Sequence, residues 1–320
     1  MSDFTISYSS GWPDWYVSEF YKYFHRKLEE TTSGSFDYIE LRDLNKQYKL
    51  EDEISSDSVF GHYSLIIKCN KNGKMFVHSW YDHAFATLEW CVRNNLDITL
   101  FSGVSNITKD FIEIHKNVQP SVYCFEYWSD YELISEIRKQ QVTQKLNKGY
   151  FAGLAHGVRV HYMQTLALHP FFDIHDKSNI YVQKEDYYNQ IKQSKFGVSF
   201  NGAANICYRD LELFGLNTLN LRQPLTCVTH EKLESGKHYY SFIDDNFSKK
   251  IIDYHAFGSI GKEEILKDIS DKVEEVLEFA STSKYRDMIT EGSEWYERNC
   301  TPENQFKILH SFLKDFSIFE

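Results

Sequence analysis

The segment Phe196–Leu221, FGVSFNGAANICYRDLELFGLNTLNL, constrains this chain more than any other. It reads as a buried strand, a Gly/Asn loop, a helix carrying Arg209 and Glu212, and a second buried strand. A glycine loop that opens onto a helix suits an anion, because free backbone N–H groups and the helix dipole both point there. A cation and a carboxylate one turn apart on that helix can address a phosphate and a sugar hydroxyl together.

The same alternation runs through the whole chain. Phe4–Tyr8 reads as a strand, followed by a small-residue loop and a helix from Trp12 to Leu28. Two apolar runs, 63–69 and 74–80, flank Asn72-Gly73 as in a hairpin. Helices are expected over 83–94, 110–116 and 131–144, and strands over 98–102 and 121–125. Lys145–Gly149 carries Asn, Lys and Gly and reads as a linker. A second unit then starts with YFAGLAHG at Tyr150, and its last 60 or so residues read as amphipathic helices over 263–280, 284–298 and beyond Thr301-Pro302. Strands alternating with helices imply mostly parallel sheets covered by helices. The expectation is therefore an α/β protein of two Rossmann-like domains, residues 1–147 and 148–320, facing a central cleft along the carboxyl ends of their strands. The terminal helices are candidates to pack back on the first domain.

Charge and cysteine usage narrow the partners. A formal net charge of −11 argues against a binder of nucleic-acid backbones, which needs a basic face. The six cysteines are scattered without a CxxC pair, as ordinary reduced thiols would be. The first residues lack a basic and an apolar signal region, and no apolar run is long enough to span a bilayer, so a cytoplasmic location is expected. No HExxH, Asp-x-Asp, Gly-x-Ser-x-Gly or P-loop lysine motif is present, which leaves no metal site, serine hydrolase or P-loop NTPase to argue for.

Several residues can carry chemistry. Arg209 either grips a diphosphate through its planar fork of donors or pairs with Asp210 or Glu212. Glu212 either accepts from a ribose diol or is an i,i+3 partner of Arg209. Asn201, Gly202 and Tyr208 surround that helix start. Gly153, His156, Gly157 and Arg159 repeat the design, a strand running into a glycine loop and an Arg at a helix start, against the simpler reading of a plain turn. In the first half, Asp82 follows a strand and precedes a helix, where it serves either as a general base or as the N-cap of that helix. Trp80 or Tyr81 can stack on a sugar face, and His83, His62 and Asp14 are lesser candidates for the base. Ser10, Gly11 and Trp12, after the first strand, are placed to line an acceptor.

Gly153–Arg159 (GLAHGVR) followed by SKFGVSFNGAANICYRDLELFGLNTL resembles the C-terminal donor domain of GT-B glycosyltransferases, particularly exostosin-like members of bacteria and large viruses. The resemblance covers about Tyr150–Arg222 well, the C-terminal helices loosely and the first half only in architecture. It implies a metal-independent transferase, without a cofactor, that moves a sugar from a nucleotide diphosphate donor to a glycan acceptor. It further implies that Arg209 contacts the donor diphosphate, that Glu212 contacts the ribose, and that an inverting transfer takes its base, Asp82 here, from the first domain. Phe214-Gly215-Leu216-Asn217-Thr218 departs from the family's usual A-L-x-x-G-x-x-P ending, which opens the choice of nucleotide. Two alternatives stand beside it: a nucleotide-sugar epimerase or hydrolase on the same fold, and a sugar- or nucleotide-binding module that has lost its base.

Overall fold

A computed structural model describes residues 2–9, 15–41, 43–44, 64–80, 84–93, 95–104, 106–121, 128–155, 157–177, 183–201 and 204–320. The protein is α/β, with one mixed and one parallel sheet. The first half contains β1 (Phe4–Tyr8), α1 (Trp15–Thr31), β2 (Phe36–Glu40), β3 (Ser64–Cys69), β4 (Met75–Ser79), α2 (Ala84–Arg93), β5 (Leu100–Gly103), α3 (Lys109–Ile114) and β6 (Val118–Pro120). Its strands lie in the order β2-β1-β3-β4-β5-β6. Only β3 runs against its neighbours, β1 and β4. The expected parallel sheet is therefore mixed here. The cause is the Asn72-Gly73 turn, where Gly73 adopts φ +78° and Asn72 Oδ1 accepts from the Lys74 amide at 2.9 Å. A turn this tight can only join antiparallel strands.

The second half contains α4 (Trp128–Lys139), β7 (Leu146–Gly153), α5 (Arg159–Leu166), β8 (Phe172–Asp176), α6 (Lys184–Gln193), β9 (Ser194–Ser199), α7 (Tyr208–Gly215), β10 (Leu219–Arg222), β11 (Tyr240–Ser241) and α8 (Asp245–Ile252). A π-helical turn (Asp253–Phe257) then leads to α9 (Lys262–Phe279), α10 (Ser283–Asn299) and α11 (Pro302–Asp315). All five strands, ordered β11-β10-β9-β7-β8, are parallel.

Lys145–Gly149 is not a linker, because residues 146–149 open β7. Its Asn-Lys-Gly signal marks an irregularity in the pairing of β7 with β9, between Leu146 and Gly149. A Cβ on Gly149 would stand 2.7 Å from the Phe172 ring, so glycine here serves close packing rather than flexibility. The strand expected over 121–125 is instead Val118–Pro120, and residues 122–127 lie outside the described residues.

The halves share a core. Ile6, Phe24 and Leu65 belong to one buried cluster with Tyr150, Trp295 and Leu309. The C-terminal helix α11 packs on α1, with Phe24 and Phe306 ring centroids 5.3 Å apart and the Tyr23 hydroxyl donating to Glu303 at 2.6 Å. Thr301 caps α11 by accepting from the Asn304 amide, with Pro302 in its first turn, as the sequence indicates. The carboxyl edges of the two sheets also touch. Trp80, directly after β4, donates its Nε1–H to the Tyr208 hydroxyl at 2.6 Å. Past β5, Asn106 Oδ1 accepts from the Asn205 amide at 3.1 Å and Ile107 O from the Val228 amide at 2.7 Å. No helix among the described residues is long and apolar enough to cross a membrane.

Candidate functional site

The site is built at the carboxyl edge of the second sheet, where β7, β8 and β9 end. Helix α7 is seated closely on β9, because Gly197 leaves room for Leu213, whose Cδ2 would lie 1.9 Å from a Cβ at that position. That packing fixes where Arg209 and Glu212 project.

Arg209 reaches the end of β7, donating through Nη2 to Ala152 O. Its guanidinium carbon lies 5.0 Å from the Phe151 ring centroid and 4.7 Å from that of Tyr187, a cation between two aromatic rings. Nε pairs with Glu212 Oε2 at 3.3 Å, so the i,i+3 pairing read from the sequence does form. Nη1 is buried and hydrogen-bonds to nothing among the described residues. Burial opposes the charge of Arg209, but Tyr187 and Glu212 more than offset it and the group stays cationic. Glu212 also accepts from the Tyr187 hydroxyl. Burial foremost holds the Tyr187 and Tyr188 hydroxyls far above their ordinary range, and the Glu212 charge adds to this, so both remain protonated donors.

Lys177, absent from the sequence-based candidates, belongs to the same cluster. It follows β8, and its ammonium lies over the Tyr187 ring, 4.0 Å from the centroid. Burial and then the Arg209 charge depress its pKa. Arg209 pairs with Glu212, and Lys177 feels the carboxylates of Glu212 and Asp130 as well as the charges of Arg209 and Lys184. No local pattern announces Lys177, since its role depends on β8 lying beside β7, with the Lys177 amide bonded to Gly153 O at 3.0 Å.

At Gly153 the Gly153–Arg159 segment comes close to Arg209. A Cβ on Gly153 would lie 3.5 Å from Arg209 Nη2 and 2.7 Å from the Phe151 ring, so glycine lets the arginine approach the strand. Arg159 donates to Leu154 O at 3.4 Å, while its buried Nε has no partner. Helix α5 starts at Arg159 without a capping side chain or an acidic residue in its first turn, but Asp176, at the end of β8, accepts from the Ala155 amide at 3.2 Å just ahead of it.

The loop before α7 departs from expectation. Its amides were read as free anion donors, yet three are already occupied. Asn201 N donates to Gln223 Oε1 at 2.9 Å, Asn205 N to Asn106 Oδ1 at 3.1 Å, and Cys207 N to Asp210 Oδ2 at 2.9 Å. The last contact caps α7 with its own acid, so the helix N-terminus is neutralised internally. Arg222 organises this loop. It is fully buried, pairs with Asp210 at 2.7 Å, and donates to Asn201 Oδ1 at 3.0 Å and Asn205 O at 2.6 Å. The sequence signal for it was a charge closing an otherwise apolar strand, LNLR.

In the first half, Trp80 is 3% exposed, with Phe20, Tyr21 and His78 around its ring. It is thus a core residue whose indole N–H links the halves through Tyr208, and its face is not offered to a sugar. Beside it, burial pushes the His78 imidazole down to about 3, so it is neutral. Asp82, His83, Tyr81, Gly11, Trp12, Ser10, Asp14, His62, His156 and Gly202 lie outside the described residues.

This geometry defines a cluster of cations and aromatic rings at the sheet edge of an α/β protein. Comparison with known proteins finds no matching family model and no matching curated protein.

Proposed function

We propose that this protein is a glycosyltransferase of GT-B architecture that moves a sugar from a nucleotide diphosphate donor to a hydroxyl of a glycan acceptor. The observation that carries this reading is Arg209, whose buried Nη1 has no hydrogen-bond partner among the described residues, with the Lys177 ammonium over the same Tyr187 ring. A diphosphate supplies the missing acceptors for Arg209 Nη1, for Arg159 Nε and for the Lys177 ammonium. Glu212 holds Arg209 in place and lies where a ribose hydroxyl can reach its carboxylate. Tyr187 donates a hydrogen bond to that carboxylate.

In this reading the acceptor oxygen attacks the anomeric carbon, the bond from that carbon to the diphosphate oxygen breaks, and a base takes the acceptor proton. The charge that develops on the leaving diphosphate falls on the cationic cluster, which is already in place and needs no divalent metal for that task. The base comes from the first half, with Asp82 the candidate, and transfer inverts the anomeric centre. Gly11, Trp12 and His83 are assigned to the acceptor side from the sequence alone.

A thermal-shift screen of nucleotides and nucleotide sugars tests the proposal. A ligand well above its dissociation constant stabilises the fold by about 2–4 kcal/mol. Stabilisation by one nucleoside diphosphate and its sugar, followed by sugar transfer, supports the reading. Binding without turnover on any acceptor points instead to a binding module.

A further inference from the structure

The amino edge of the second sheet holds a second concentration of positive charge. The connection from α4 to β7 meets the end of α6 there and encloses two adjoining hollows of about 320 and 510 Å³. They share Thr143, Gln144 and Leu146 and so form one groove. Its walls are amides, hydroxyls and three lysines, Lys145, Lys192 and Lys195, with no carboxylate among the lining residues. In a chain of net charge −11 that is a marked local reversal.

Two of these lysines are held in place by the backbone. Lys192 is 7% exposed and donates to Arg138 O, in the last turn of α4, at 3.0 Å. Lys145 donates to Asn217 O at 2.7 Å and to Thr218 Oγ1 at 3.2 Å, just past α7. A cation at a helix C-terminus is favourable, which accounts for where the two ammonium groups sit. It leaves their mutual repulsion unanswered. After burial, the charge acting on Lys145 is that of Lys192, and the one acting on Lys192 is that of Arg138. Both effects disfavour the ammonium form, and Lys145 is pushed down to about 7. Ordinary stabilising design places a carboxylate beside such a pair or replaces one lysine by an apolar residue. The groove does neither, and its lining adds the Thr143 hydroxyl and the side-chain amides of glutamines and asparagines.

We propose that this groove is a second anion site, separate from the Arg209 cluster, which takes a phosphate-class oxyanion through Lys145, Lys192 and Lys195. The phosphate is either free or the terminal group of a larger molecule such as a sugar phosphate, and the groove has room for both. Lys145 holds the C-terminal end of the same helix that carries Arg209 near its start, so occupancy of the groove bears on how firmly α7 is anchored.

The test is calorimetric titration of inorganic phosphate and of a hexose phosphate into the whole protein, with chloride at matched ionic strength as control. It is repeated in Arg209→Ala, Lys195→Gln and Lys192→Gln. Removing one charge-assisted contact weakens binding by about tenfold. The expected result is binding that persists in Arg209→Ala and weakens in both lysine variants. Lys195→Gln leaves the two helix-end contacts intact, so its loss of binding is independent of any folding defect in Lys192→Gln. The tighter of the two ligands identifies the source of the phosphate. No phosphate binding in Arg209→Ala, or undiminished binding in both lysine variants, overturns the site. Either result leaves the nucleotide reading of Arg209 untouched, because that rests on a different ligand and a different edge of the sheet.

Discussion

Arg209, in the first turn of α7, and Arg222, at the end of β10, are both withdrawn from solvent and do opposite things. Arg222 is 0% exposed and makes three hydrogen bonds, to Asn201, the Asn205 carbonyl and the Gln223 carbonyl, while its Nη1 meets Asp210 as an ion pair at 2.7 Å without a hydrogen bond. Arg209, with 12% of its side chain exposed, has one carbonyl, one carboxylate at 3.3 Å and two aromatic faces, and keeps Nη1 unbonded. Burying a charged donor without an acceptor is unfavourable, so a cation left in that state marks a place where a ligand supplies the difference. In the proposed reading Arg222 is scaffold and Arg209 belongs to the site. Residue type and burial do not separate them; the count of acceptors does.

The largest expected effect tests the scaffold half of this contrast. Arg222→Met leaves the buried Asp210 carboxylate uncompensated and should cost about 3–5 kcal/mol in stability by denaturant unfolding. A cost below that of Arg209→Ala would break the distinction. Arg209→Ala is expected to lose about 1–2 kcal/mol, since Tyr187 continues to donate to Glu212. Lys177→Gln sharpens the site half. It should leave stability within about 0.5 kcal/mol of the parent, being half-buried and in no close ion pair among the described residues. It should weaken nucleoside diphosphate binding about tenfold, and unchanged affinity would remove Lys177 from the site. The smallest effect concerns the junction between the halves. In a double-mutant cycle of Trp80→Phe and Tyr208→Phe, the 2.6 Å hydrogen bond should appear as a coupling of about 0.5–1.5 kcal/mol. Zero coupling would mean that the two sheets do not rely on this contact.

How far the chain could be read from its residues follows the same division. The strand-loop-helix-strand of 196–221 is present as β9, α7 and β10, because apolar runs and helical spacing are local signals. The pairing of Arg209 with Glu212 was legible for the same reason, being one helical turn. What failed depended on partners far along the chain. The loop amides of Asn201 and Asn205 looked free, but their acceptors, Gln223 and Asn106, stand 22 and 99 residues away. Lys177 joins the site only through β8 pairing with β7. Trp80 looked like a stacking platform, and only the packing of Phe20 and Tyr21 from α1 shows it as core. Asn147-Lys148-Gly149 looked like a linker, since a bulge against a neighbouring strand carries the same residues as a loop.

The central claim is that Arg209 is an unsatisfied cation held for a diphosphate. Its most direct test is the affinity of UDP and GDP for the parent and for Arg209→Ala, measured by titration under identical salt. The account predicts that at least one of them binds the parent and loses about tenfold or more in affinity on substitution, with the variant still cooperatively folded. Equal affinity of both nucleotides for the two proteins would contradict it.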